Sequence, residues 1–237
     1  MPTGPSPEEP LRGVSPGVAD ALAQARAFGY LGPGPLQIHV DHAKAFGRTL
    51  LSALGRVTAV DEMSSPEPAI DVGPDFDLLA VDLGSGGGVP GLILAESWPA
   101  SRWVFVDSNQ RRMATLIEVI SRLGWESRCE VRVGRAEDIA RSPSLRGNFG
   151  AVVARGFAAP SVTAECAAGF LSVGGVLVVS EPPSGPDRWS DRGLARLGME
   201  RRLVAPSSFR FFTASQRTIC STVYPRPTGT PAKLPLF

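Results

Sequence analysis

Lysine is almost missing from this 237-residue chain: Lys44 and Lys233 are the only two, and arginine supplies the rest of its 24 basic side chains. Histidine is equally rare, with His39 and His42 alone. The two stand three apart on an expected helix. Without a third ligand they make no zinc site, so an exposed helix face and no metal are expected. Three cysteines (Cys129, Cys166, Cys220) lie far apart with no C-x-x-C pair, which points to buried free thiols in a reducing compartment rather than a disulfide framework. No apolar run is long enough to cross a membrane. Met1 to Pro10 has neither the basic n-region nor the apolar h-region of a secretory signal, so a cytoplasmic location is expected.

What remains is an ordinary composition for a packed core, 43% hydrophobic and 20% charged. The net charge of +1 conceals an asymmetry: residues 1–100 carry 5 basic against 12 acidic side chains, and residues 185–237 carry 9 against 3. A basic C-terminal quarter suits contact with a phosphate backbone as well as it suits a solvated surface.

The expected layout is a disordered leader over 1–14, a helical extension and linker over 15–74, and one large domain over 75–237 with a basic tail. Ser15-Pro16 is an N-cap followed by proline at the first helical position, opening a helix to about Phe28. A Gly/Pro break (29–35) precedes a second helix, Leu36 to Leu54, with Leu36, Val40, Ala43, Phe46, Leu50 and Leu54 on one face. From Leu78 onward apolar strands (78–83, 102–107, 130–133, 151–154, 176–180) alternate with helical patterns near 90–98, 109–123 and 160–171. Such alternation signals a parallel sheet covered on both faces. Residues 200–205 and 217–224 are expected to form the last two strands, an antiparallel hairpin at one sheet edge.

The most informative stretch is Asp82-Leu83-Gly84-Ser85-Gly86-Gly87-Gly88-Val89-Pro90-Gly91, read as strand end, glycine turn and helix start. Glycines there admit positive φ and close approach of a ligand, and the helix start is expected to offer unpaired N–H groups to it. Asp107 ends the next strand about 20 residues on, placed to accept hydrogen bonds from ribose hydroxyls. Both nicotinamide and S-adenosylmethionine enzymes use that arrangement. Nicotinamide sites carry an apolar residue where Asp82 stands, whereas Asp82 to Gly88 resembles the (D/E)-x-G-x-G-x-G turn of class I methyltransferases. The expected fold is therefore α/β, a class I S-adenosylmethionine-dependent methyltransferase (Rossmann-like) fold. It has a mostly parallel seven-stranded sheet, helices on both faces and an N-terminal helical extension. Beyond the strand ends lie two further candidate groups. Gly134-Arg135-Ala136-Glu137-Asp138 offers a small apolar residue for stacking against an adenine, and Arg155 is either a cofactor or substrate contact or a surface arginine.

In register, these blocks resemble the family of ribosomal RNA small subunit methyltransferase G, also called glucose-inhibited division protein B. The similar blocks are 82–91, Asp107-Ser108-Asn109-Gln110-Arg111-Arg112, Gly134-Arg135-Ala136-Glu137 and Ala154-Arg155-Gly156-Phe157-Ala158, together with the tail Tyr224 to Leu236. The chain departs from the family pattern in two places. It lacks the N-L-T and H-x-x-D-S tracts, and Ser180-Glu181-Pro182 stands where the family has a lysine–glycine pair.

The resemblance implies methylation of a guanine N7 in small-subunit ribosomal RNA with S-adenosyl-L-methionine as cofactor. Carried over by position, cofactor contacts fall on Gly84, Val89, Ala136, Glu137 and Arg155; the reading of the residues adds Asp82, Gly86 and Asp107. Guanine N7 carries a lone pair and no proton, so alignment can supply most of the rate and no catalytic residue is nominated. The expected partner is ribosomal RNA or the small ribosomal subunit, with no membrane, no metal and a monomeric chain. The alternatives are a small-molecule methyltransferase and a non-catalytic member that binds cofactor or RNA.

Overall fold

The computed structural model describes residues 10–56, 75–180, 187–202 and 209–214. Two helices come first, α1 (Pro16–Ala27) and α2 (Leu36–Ala53). Ser15 caps α1 by accepting the Val18 N–H at 3.3 Å, with Pro16 inside the first turn. The alternation then runs β1 (Leu79–Leu83), α3 (Gly91–Ser97), β2 (Arg102–Asp107), α4 (Gln110–Leu123), β3 (Cys129–Val133) and α5 (Ala136–Ile139). It continues through β4 (Phe149–Arg155), α6 (Pro160–Phe170), β5 (Leu171–Ser180), α7 (Asp191–Arg196), β6 (Met199–Arg202) and β7 (Phe209–Ala214). Asn109 caps α4, and Gly124 ends it in the left-handed conformation at φ +68°.

The seven strands form one sheet in the order β3-β2-β1-β4-β5-β7-β6. The first five pair in parallel; β7 runs antiparallel to both β5 and β6. Side chains alternate across it as strand geometry requires. Ala80, Trp103, Phe105, Val153 and Val178 join one core with α2, α3 and α4, while Val81, Leu83, Val104, Val152 and Leu177 join the other with α5, α6 and α7. Both faces are covered, which is why these strands are apolar runs and not alternating ones. A third cluster (Val18, Leu22, Val40, Val89 and Ile93 among its members) fixes α1 and α2 against α3.

The expected seventh strand needs correction. The strand beside β5 is Phe209–Ala214, a segment to which the sequence reading gave no element, and residues 217–224 lie outside the described residues. The tail Tyr224 to Leu236, residues 1–9 of the leader and residues 57–74 also lie outside them, whereas Arg12 within the leader span exchanges hydrogen bonds with the Gln37 side chain. Cys129 and Cys166 are buried free thiols, and burial pushes both up to about 11. Among the described residues no helix is long and apolar enough to cross a membrane.

Phe46 joins α2 to the far half of the sheet: fully buried, it meets the Phe209 ring edge-on at 4.8 Å and the His42 ring at 5.3 Å. Phe46→Ala should cost about 3–5 kcal/mol, read as a lower urea midpoint at unchanged slope.

Candidate functional site

The site lies at the carboxyl ends of the four adjacent strands β3, β2, β1 and β4, with β1 at its centre. From β1 the chain steps one way to β2 and β3, then returns to β4 on the other side. The reversal opens a crevice beyond the strand ends, where open α/β sheets bind ligands. Leu83 is level with Val106 and Ala154, so the residues that follow β1, end β2 and end β4 are neighbours. Gly134 joins them on the β3 side, donating its N–H to the Asp107 carbonyl at 3.0 Å.

Backbone bonds shape the turn after β1. The N–H groups of Gly84 and Ser85 both donate to the Val106 carbonyl (2.8 and 3.1 Å), and the Ser85 hydroxyl donates to the Asp82 carbonyl at 2.8 Å. Gly84 has φ +76°, and a Cβ on it would come within 2.7 Å of the Phe157 ring in the loop after β4. Gly86 has φ +52° and differs in its surroundings. The nearest atoms to a Cβ there are the Gly84 carbonyl oxygen at 3.7 Å and Arg112 Nη1 at 3.8 Å, ordinary contacts, so it is the positive φ that calls for glycine.

Two carboxylates grip the turn. Asp107 accepts the Gly86 N–H at 3.0 Å through one oxygen and the Asn109 N–H at 2.9 Å through the other. Asp82 is 1% exposed; its Oδ2 accepts the Gly91 N–H at 2.9 Å, while its Oδ1 is buried without a partner among the described residues. Burial raises the Asp82 carboxyl from its ordinary 3.8 to about 7. The Gly91 N–H and the charge of Arg155 pull it down, and the charge of Asp107 raises it further. A buried carboxylate oxygen lacking a donor is costly unless a cation or donor reaches it.

The helix start corrects an expectation. The first N–H groups of α3 are satisfied from within: Gly91 by Asp82, Leu92 by the Gly88 carbonyl, and Ile93 and Leu94 by the Pro90 carbonyl. The helix start is thus capped by a buried carboxylate and offers no unpaired N–H group.

Arg155 ends β4 half-buried, and burial lowers its pKa from the ordinary arginine value. Its Nη1 donates to His39 Nδ1 at 3.1 Å, and His39 Nε2 donates to the Gly32 carbonyl at 3.3 Å. The histidines thus do not form an exposed helix face. His39 is 9% exposed, and His42 packs its ring between Phe46 and Phe209, with burial lowering it to about 4. The α2 register carried the signal: 39, 43, 46 and 50 follow helical spacing along the buried stripe, so His39 falls at its edge. Among the described residues no group of acidic, histidine or cysteine side chains could hold a metal ion.

Asp82, Gly84, Gly86, Asp107 and Arg155 are thus gathered where β1, β2 and β4 end. Glu137 stands on the β3 side, half-exposed and paired with Arg135 at 2.5 Å, with Ala136 buried beside it at the start of α5. Val89 is different: its side chain is 3% exposed in the cluster with α1 and α2, which leaves only its backbone for a ligand.

Comparison with known proteins bears on what this crevice is for. The family model GidB, rRNA small subunit methyltransferase G, matches residues 62–182. The ribosomal RNA small subunit methyltransferase G of Prochlorococcus marinus (strain MIT 9313) is 35% identical over 165 residues, covering 66% of this chain and 67% of its own. That of Moorella thermoacetica is 32% identical over 165 residues, covering 66% and 68%. Among solved structures, a methyltransferase from Geobacter sulfurreducens has a TM-score of 0.53 at 16% identity over 85% of this chain and 89% of its own. A protein from Corynebacterium glutamicum has a TM-score of 0.51 at 15% identity over 86% and 92%. Both share the fold.

The Asp82 carboxyl makes a testable link to stability. A folded-state value of about 7 against an ordinary 3.8 means that the folded chain holds the proton more tightly, so this group's contribution falls as pH rises from about 4 through 7. Asp82→Asn keeps an acceptor for Gly91 and removes the charge. It should stabilise the ligand-free protein by about 1–4 kcal/mol at pH 8 and by little at pH 4, measured by denaturant titration at both.

Proposed function

Since the chain belongs to the rRNA small subunit methyltransferase G family, we propose that it methylates a guanine N7 of small-subunit ribosomal RNA with S-adenosyl-L-methionine. The observation that carries the reading is the end of β1, where an underbonded buried carboxylate, a glycine turn and a half-buried arginine converge.

The residues present fit that cofactor. Asp82, with one oxygen still bare, suits an ammonium group, whose charge would hold the carboxylate ionised at neutral pH. Arg155 suits a carboxylate. Gly86, with no side chain, suits a ligand chain lying against the backbone. Asp107 is held by two N–H groups and keeps lone pairs for ribose hydroxyls. Ala136 and Glu137, one element further along the sheet edge, suit an adenine. Gly84 and the backbone of Val89 complete the set.

When bound, S-adenosylmethionine supplies an electrophilic methyl on sulfur, and guanine N7 meets it with a free lone pair. The protein therefore has no proton to move; its residues bind, orient and exclude water, and proximity provides most of the acceleration. RNA is favoured as acceptor by the excess of 9 basic over 3 acidic residues in 185–237 and by the tail Tyr224 to Leu236, which carries Arg226 and Lys233 and no acidic residue.

Calorimetry with S-adenosylhomocysteine should give binding to the folded protein, and Gly86→Val should abolish it by placing a branched side chain between the ligand and the backbone. Tighter binding of NAD would overturn the assignment. Ribosomal RNA from a deletion strain should lack a single 7-methylguanosine in nucleoside mapping. Removing residues 225–237 should leave cofactor affinity nearly unchanged while weakening methylation of the RNA. Methyl transfer to a metabolite with no salt dependence would favour a small-molecule enzyme, and binding without turnover a non-catalytic member.

A further inference from the structure

The segment between α1 and α2 is fastened around the glycine turn at three points. The Arg112 guanidinium lies over the Tyr30 ring, 5.6 Å from its centroid, and Arg112 itself borders Gly86. Leu31 is buried in the cluster that holds Val89. The Gly32 carbonyl accepts from His39 Nε2, and the other nitrogen of that ring meets Arg155, 116 residues away in sequence.

The His39 bonds can be made in only one protonation state. A guanidinium has donors and no acceptor, so Nδ1 must present its lone pair to Arg155. The ring proton is then on Nε2, where the Gly32 carbonyl takes it. A neutral imidazole fixed at one nitrogen by backbone thus offers its other nitrogen to a cation at the rim of the cofactor crevice. Among the described residues His39 is the side chain that hydrogen-bonds Arg155.

We infer that His39 is a positioning residue for Arg155, holding the guanidinium toward the crevice so that α2 and the Gly32 segment set the geometry of a site otherwise built from the sheet. The inference rests on the reading of Arg155 as a cofactor contact. His39 touches no reacting atom and moves no proton; it acts through the arginine alone. A histidine that merely filled core space would have its needs met by backbone and would be replaceable by any side chain of its size.

The experiment is S-adenosylhomocysteine affinity by calorimetry on the full chain, with thermal unfolding recorded for each variant. His39→Phe keeps the ring and removes the acceptor, and should weaken binding about tenfold. His39→Asn carries an amide oxygen near the position of Nδ1 and should stay within about threefold of the wild type. His39→Phe combined with Arg155→Ala should bind no more weakly than Arg155→Ala alone, because the histidine acts only through the arginine. If His39→Phe does not fold, His39→Gln, whose amide reaches toward Nε2 and leaves the Nδ1 position empty, replaces it with the same expectation. Wild-type affinity in the variant that lacks the acceptor, or full additivity in the pair, would overturn the positioning role and leave the cofactor reading standing. Absence of binding to the wild type would overturn the cofactor reading and this inference with it.

Discussion

The hydrogen bond from the Gly91 N–H to the Asp82 carboxylate, made in the buried centre of the molecule, joins the end of β1 to the first turn of α3. The glycine loop is the span of chain between those two points, so its path is set once they are joined. Asp107 then holds the loop from the side through Gly86, and the Val106 carbonyl holds it from beneath. The cost of this arrangement is a carboxylate displaced well above its ordinary range and short of one partner. The same displacement leaves the crevice ready to receive positive charge. Strain of this kind is tolerated where function needs it and where a large core offsets it.

That core is generous. Two sheet faces and a third cluster under α1 and α2 surround the strand ends, and the largest side chains, Trp98, Trp103, Phe105, Phe149 and Phe170, are almost wholly enclosed. Trp103 meets its polar need locally, donating its indole N–H to the Ser101 hydroxyl at 2.8 Å. Apolar matter thus sits around the site and leaves the polar groups at the crevice few alternatives but each other or a ligand.

How much of this was legible in the sequence depends on the range of the interaction. The strands from 78 to 180 announced themselves as apolar runs between glycine turns, and the cap at Ser15 is local chemistry. Asp82, Gly86, Asp107 and Arg155 were recognisable because each ends a strand or opens a turn. Three things escaped. β7 is the aromatic run Phe209-Arg210-Phe211-Phe212, whereas Thr218 to Tyr224 has the more conspicuous apolar run. The donors at the start of α3 looked free because the acceptor of the first, Asp82, is nine residues back on another element, and the others turn back onto the carbonyls of Gly88 and Pro90. His39 looked like part of an exposed face because it lacked a third metal ligand; the α2 register signals its burial, but its partner Arg155 on β4 is 116 residues away and no local pattern reveals it.

The chain distances within the crevice have a consequence for biosynthesis. Its parts come from α2, from the ends of β1 and β2, and from β4, with His39 and Arg155 separated by 116 residues. On the proposed reading of Arg155, a nascent chain that has produced the glycine turn holds only part of the binding site, and competence arrives when β4 takes its place beside β1. Ligand binding therefore selects finished molecules over partly folded ones. It also adds its free energy to the assembled sheet as a whole, in proportion to the logarithm of cofactor concentration over the dissociation constant.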